Sequence, residues 1–256
     1  MFSVYERAAA STLPERAGIV AAVISFVVPA YNEERLLGRT LASIHASARE
    51  LARPYELIVV DDASTDQTAA IAEAAGARVV RGAWRQIACV RNAGARGSVG
   101  DVLIFVDADT VVSTAAVRAT ISAVESGAAG GGAAVMPDGQ VAWWVRPVFR
   151  LSNFWARRFR LAYGCYVFCT RHAFDATGGF DERLFATEEI AFSRALSRVG
   201  RVAILRETVV TSGRKLRTHR FREYAGLLFL LLRHGSRVLH RRDRLALWYG
   251  ERRDDI

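Results

Sequence analysis

The first long apolar run, Ala21-Ala-Val-Ile-Ser-Phe-Val-Val-Pro-Ala30, turns polar abruptly at Tyr31-Asn32-Glu33. A β-branched run of this kind, without period-two alternation, predicts a strand buried on both faces, here over residues 23–29. The pattern returns at Tyr55–Val60 and Asp101–Asp107, with a shorter run at Arg78–Arg81. Between these runs the spacing predicts helices over residues 33–49, 85–96 and 114–125, and an Ala-rich helix ending near Ala75. Thr65 or Asp66 stands where the N-cap of that Ala-rich helix belongs. Strands alternating with helices predict an α/β fold with a parallel sheet covered by helices.

The second half reads less regularly. Gly127–Gly139 is a run of small residues, expected to mix a flexible turn with a short strand. Trp143-Trp144 and a helix-like Phe149–Phe159 precede a strand-like Tyr163–Thr170, and Val202–Leu205 and Val209–Val210 read as late strands. Without repeats or a clean linker, one domain is preferred over two.

With 256 residues, 51% hydrophobic and 24% charged, the chain can bury a sizeable core and is not of disordered type. Cys89, Cys165 and Cys169 make neither a disulfide framework nor a four-ligand zinc set. The net charge of +9 divides into −3 for residues 1–140 and +12 for residues 141–256, and Lys215 is the single lysine. The basic half suits phosphates or anionic lipid headgroups, and no nucleic-acid-binding motif accompanies it. Residues 17–30 imitate a signal-peptide core but run into Tyr31-Asn32-Glu33-Glu34 with no small-residue cleavage site, so a core strand and a cytoplasmic location are expected. Ala225–Leu232 is too short to span a bilayer. The arginines and aromatics after it suit either a helix on the inner face of the membrane, a peripheral contact, or a helix packed on the domain, and both readings stay open.

Ligands of such sheets bind beyond the carboxyl ends of the strands. Tyr31-Asn32-Glu33, Asp61-Asp62 and Asp107-Ala-Asp109 all fall at those ends. If the extended conformation persists past Val106, Asp107 and Asp109 point the same way and offer oxygens to one hard cation, Mg2+ or Mn2+. An acidic turn without a metal is the alternative.

Four motifs then occur in order: Val28-Pro-Ala-Tyr-Asn-Glu-Glu34, Val59-Val-Asp-Asp-Ala-Ser-Thr-Asp66, Arg91-Asn-Ala-Gly94 and Val106-Asp-Ala-Asp-Thr110. The set resembles the family-two inverting glycosyltransferases of GT-A fold, and Gly178-Gly-Phe-Asp-Glu182 with Thr187-Glu-Glu189 resembles their acceptor-side segment. The resemblance spans about residues 22–215. It implies a Rossmann-like, mostly parallel central sheet flanked by helices, with C-terminal helices. The expected organisation is an N-terminal extension (1–21), a transferase domain (22–215) with a nucleotide-binding half (22–112) and an acceptor-side half (113–215), and a basic helical segment (216–256).

The implied activity moves a sugar from a UDP- or GDP-linked donor to the hydroxyl of a sugar, lipid-linked or other acceptor, with inversion. The resemblance implies that Pro29, Ala30, Tyr31, Glu33, Asp61 and Asp62 line the nucleoside pocket, with Arg85 reaching base or phosphate. Asp109, with Asp107, would hold a divalent metal on the donor diphosphate, and Asp107 would contact the ribose or the metal. Glu189 would be the base that takes the acceptor proton, one methylene longer than the commoner Asp, and Glu188 would support it. Ser212, Arg214 and Lys215 offer donors suited to a diphosphate. A non-catalytic sugar-nucleotide binder is the main alternative. A nucleotidyltransferase fits less well, because Pro29-Ala-Tyr-Asn-Glu33 lacks the glycine-rich loop such an enzyme places after its first strand.

Overall fold

The computed structural model describes residues 22–218 together with Leu239, His240 and Leu245. The expected extension 1–21 and nearly all of the expected C-terminal helical segment lie outside the described residues.

The buried apolar runs form the centre of one sheet. Strands β1 (Ile24–Ala30), β2 (Tyr55–Asp62), β3 (Arg78–Gly82) and β4 (Val102–Val106) pair in parallel, β3-β2-β1-β4. All seven residues of β1 are buried, and each large apolar side chain withdrawn from water there contributes about 1.5–3 kcal/mol before entropy is counted. Helices α1 (Leu37–Glu50) and α2 (Thr68–Ala74) help close one face, and α3 (Ile87–Arg96) packs on the other through a cluster containing Val27, Ile58 and Val60. A Cβ at Gly94 of α3 would overlap the Val27 side chain and lie 2.8 Å from Val60 Cγ2, so that glycine permits the helix to seat on the sheet.

Beyond β4 the sheet continues through β7 (Tyr166–Thr170), β6 (Ala128–Pro137), β8 (Arg201–Thr211) and the two-residue β5 (Thr110–Val111). The β4–β7, β7–β6 and β8–β5 pairings are antiparallel, and β6–β8 is parallel with register shifts. Helices α4 (Thr114–Glu125), α5 (Val145–Phe159), α6 (Arg171–Thr177), α7 (Glu188–Val199) and the short α8 (Arg214–Thr218) complete the fold, an α/β architecture on a mixed, mostly parallel sheet.

Several boundaries differ from expectation. Residues 33–36 form a turn ahead of α1, with the Leu37 amide bonded to the Glu33 carbonyl. The N-cap position of α2 is Gln67, which makes no side-chain cap bond, in place of the expected Thr65 or Asp66. Asp66, one residue earlier, accepts from the Thr68 amide at 2.9 Å, and Thr65 donates its amide to Asn32 Oδ1. The glycine-rich stretch is the largest correction: residues 128–137 are a ten-residue strand, almost wholly buried, in place of a turn and a short strand. Glycine is required there by crowding, since a Cβ at Gly130 would stand 2.5 Å from the Phe168 carbonyl oxygen and one at Gly131 would overlap the Ala203 carbonyl. The small part of the C-terminal region that is described meets the domain where the Phe185 amide donates to Leu239 O at 2.8 Å.

Candidate functional site

The carboxyl ends of β1, β2 and β4 meet at one edge. β1 ends at Ala30, in register with Asp61, so the Tyr31 loop and the Asp61-Asp62 pair are neighbours. Asn32 adopts a left-handed conformation (φ 48°) and ties the two loops together, accepting from the Thr65 amide at 2.8 Å while its own amide donates to Ser64 Oγ at 3.0 Å. Asp61 Oδ1 accepts from the Ser64 amide at 3.2 Å, and Asp62 Oδ1 from the Arg85 amide at 2.9 Å. Asp61 and Asp62 belong to the end of β2, where they are buried, and not to the loop expected after Val60. The Arg85 guanidinium lies 3.6 Å from the centroid of the Tyr31 ring. Pro29, Ala30, Tyr31, Asp61, Asp62 and Arg85 are therefore assembled in one place, with Arg85 covering a face of Tyr31.

Glu33 is buried, and its carboxylate accepts from Arg214 Nη2 at 3.1 and 3.3 Å. Arg214 is 8% exposed and is held against Glu33 in this arrangement. The Ser212 amide donates to Asp109 O at 3.1 Å, and Ser212 Oγ accepts from the Arg214 amide. The late Thr211–Arg214 stretch thus reaches the Asp109 turn because β8 pairs with β5, Thr211 opposite Thr110. Lys215 lies in α8, and its side chain is outside the described residues.

The Asp107-Ala-Asp109 segment corrects the expectation of persistent extension. It is a turn closed by the Thr110 amide on Asp107 O at 3.0 Å. Ala108 is buried, and its carbonyl accepts from Thr40 Oγ1 of α1 at 2.8 Å. The small middle residue faces the interior while the two carboxylates stay partly exposed. Thr211 Oγ1 donates to Asp109 Oδ1 at 3.3 Å. Among the described residues no three His, Cys, Asp or Glu side chains converge on a metal site. An all-oxygen pair of carboxylates, completed by ligand oxygens, is nevertheless a donor set that suits Mg2+ or Mn2+.

The sequence presents Arg91 only as part of a helical motif, yet in the fold it bridges the two halves of the site. Its side chain is 3% exposed; Nη2 donates to Asp107 Oδ1 at 2.9 Å and Nη1 to Glu188 Oε1 at 2.7 Å. Both carboxylates hold its pKa up against the effect of burial. Burial, then the neighbouring Glu189 carboxylate, push the Glu188 carboxyl above its ordinary range, and Arg91 opposes them. Asn92, next in sequence, donates to Phe180 O and Glu182 Oε1 at 2.9 Å each and accepts from the Phe180 amide, stapling the Gly178–Glu182 loop to α3. Gly179, at φ 82°, passes close to Asn92 Oδ1 where a Cβ would stand 2.6 Å away.

Glu188 and Glu189 form the first turn of α7, behind Thr187 in a left-handed conformation (φ 62°). Glu188 is buried, whereas Glu189 is partly exposed and accepts from the Gly164 amide at 3.2 Å. The fold therefore separates the pair, Glu188 turned inward to Arg91 and Glu189 toward the accessible side.

The model of the family described as "Glycosyl transferase family 2" matches residues 25–178. A curated relative, the undecaprenyl-phosphate 4-deoxy-4-formamido-L-arabinose transferase of Pseudomonas paraeruginosa (strain DSM 24068 / PA7), is 36% identical over 95 residues, 34% of this chain and 28% of that protein. The chain thus matches under a third of the length of such relatives. Among solved structures, a mannosyltransferase from Pyrobaculum calidifontis in complex with GDP-Man and Mn2+ aligns with a TM-score of 0.63 at 19% identity, over 85% of this chain and 62% of that one. The glucosyl-3-phosphoglycerate synthase of Mycobacterium tuberculosis, in complex with Mn2+, UDP-glucose and phosphoglyceric acid, aligns at 0.56 and 20% identity, over 90% and 80%.

Proposed function

Because the chain belongs to glycosyl transferase family 2, we propose that it transfers a sugar from a nucleoside diphosphate donor to an oxygen nucleophile, with inversion at the anomeric carbon. The observation that carries the reading is the Arg91 bridge: one buried guanidinium ties the Asp107 turn to Glu188, beside Glu189. Leaving-group and acceptor functions are thereby held at fixed separation, as a single displacement requires.

In this reading Asp61 and Asp62 accept hydrogen bonds from base or ribose, and Tyr31 with Arg85 closes the nucleoside pocket. Asp109 and Asp107 hold Mg2+ or Mn2+, which when bound neutralises charge growing on the departing diphosphate. Ser212 and Arg214 stand next to that turn, and Arg214 reaches phosphate by leaving Glu33. Glu189 takes the acceptor proton, since it is partly exposed and the Gly164 amide engages only its Oε1, at 3.2 Å. Glu188, paired with Arg91, keeps the first turn of α7 in place and is a positioning residue.

The name of the curated relatives supports a membrane lipid as acceptor, either a lipid-linked hydroxyl or a polyprenyl phosphate. The +12 balance of residues 141–256 is compatible with both. A phosphate oxygen is already ionised at neutral pH, so the demand on Glu189 distinguishes the two acceptors. The deciding experiment is a screen of UDP- and GDP-sugars with Mn2+, reading release of the nucleoside diphosphate. Release that requires an added lipid acceptor is expected. Tight donor binding without any release would point to the non-catalytic binder, and pyrophosphate release to a nucleotidyltransferase.

A further inference from the structure

Helix α5 has two apolar faces, and the fold uses one. Val145, Asn153 and Ala156 are buried, Phe149 packs on the core, and Asn153 bonds to both the amide and the carbonyl of Val135 in β6. The other face consists of Trp144, Val148, Leu151, Trp155 and Phe159, spaced by four, three, four and four residues, which is one stripe on a helix. These side chains are 44%, 48%, 57%, 47% and 59% exposed. The Trp155 and Phe159 rings stack with centroids 5.4 Å apart, so the stripe is preorganised without being covered. A contiguous exposed aromatic stripe of this kind marks a docking surface.

Charge decides what docks there. The helix and its flank carry Arg146, Arg150, Arg157, Arg158 and Arg160, and no Asp or Glu occurs between residues 139 and 174. None of these five arginines forms an ion pair among the described residues. Arg146, Arg150 and Arg157 form a row along the other flank of the exposed surface. A second copy of the chain would set arginines against arginines. An anionic lipid surface satisfies both features, taking the aromatic stripe at the headgroup boundary and pairing the arginines with phosphates. No helix among the described residues is long and apolar enough to cross a membrane, so α5 would lie on it.

We propose that α5 is an interfacial helix that docks the protein on anionic bilayers. The docking stands apart from the catalytic reading; its link to a lipid acceptor rests on that reading. From Phe159 the chain passes in a few residues to Gly164, whose amide holds Glu189. The surface that meets lipid is thus joined by a short loop to the proposed base.

The test uses the full chain and two variants, Leu151→Gln/Trp155→Ser and Arg146→Gln/Arg150→Gln/Arg157→Gln. Sedimentation is measured with vesicles of phosphatidylcholine containing phosphatidylglycerol, and with phosphatidylcholine alone. The wild-type chain is expected to pellet with the anionic vesicles and shift its tryptophan emission to the blue. Each variant should partition at least about tenfold more weakly, as loss of buried apolar area or headgroup pairing dictates. Absence of pelleting overturns the proposal, as does equal partitioning by the variants, which would assign the contact to residues beyond α5. A wild-type dimer in sedimentation velocity that both variants abolish would overturn it in favour of a second copy. Melting curves and Mn2+-dependent UDP or GDP binding, unchanged in both variants, separate failure of this proposal from misfolding and from failure of the transferase reading.

Discussion

Arg91 and Glu188 form a buried ion pair across 97 residues of sequence, with Nη1 and Oε1 2.7 Å apart and side chains 3% and 4% exposed. Replacing Arg91 by Met removes the fork that joins Asp107 to Glu188 and, at a pH where Glu188 is ionised, leaves that carboxylate without its cation in a place water does not reach. A loss of about 3 kcal/mol is expected from denaturant unfolding. Lysine restores a charge but not the fork that contacts Asp107 and Glu188 together, so Arg91→Lys should recover stability only in part and turnover little. Full recovery by lysine would show that charge alone suffices.

Stability should also depend on pH through Glu188. Burial and Glu189 raise its pKa from the ordinary 4.5 to about 8. A raised folded-state value means that the native protein holds a proton that the unfolded chain has released. The contribution is full below 4.5 and is lost as pH rises toward about 8. Glutamine cannot titrate, so the stability of the wild-type chain minus that of Glu188→Gln should fall across this window. Urea unfolding at both ends measures it. A flat difference would mean that Arg91 keeps Glu188 ionised throughout.

Two carboxylates assigned to different partners should fail differently. Asp109→Ala is expected to keep its melting temperature, since Ala108 and Thr40 anchor the turn, while losing Mn2+-dependent nucleotide affinity in calorimetry. Glu189→Gln should keep that affinity and lose about 10²–10⁴ in turnover if the acceptor is a hydroxyl. Normal turnover by Glu189→Gln in the lipid-hydroxyl assay would remove Glu189 as the base.

Gly94 is a packing requirement. A methyl group there meets Val27 and Val60 of the central strands, so Gly94→Ala should destabilise by about 1–3 kcal/mol despite the better helix propensity of alanine. A more stable variant would show that α3 can retreat from the sheet without cost.

These residues also mark how far sequence reasoning reaches. β1, β2 and β4 are legible because strands covered on both faces need uninterrupted apolar residues, and α4 was expected over the same residues 114–125 that it occupies. Strand β6 was not legible. Its glycines are dictated by neighbours in β7 and β8, and a residue chosen for lack of bulk leaves no hydrophobic period to read. The Asp107–Asp109 carboxylates were found, but their orientation follows from a turn fixed by Thr40, a helical residue 68 positions earlier. Arg91 was visible in a motif. Its partners, Asp107 and Glu188, follow from the seating of α3 and α7, which local sequence does not encode.

The pairing of Glu33 with Arg214 joins positions 181 residues apart. The family match stops at residue 178, yet a fragment ending there would take Arg214 away from the buried Glu33 and lack the β8 strand that β6 pairs with. The smallest piece of this chain able to stand alone therefore reaches past Arg214, and fragments trimmed to the family boundary should be recovered as insoluble material.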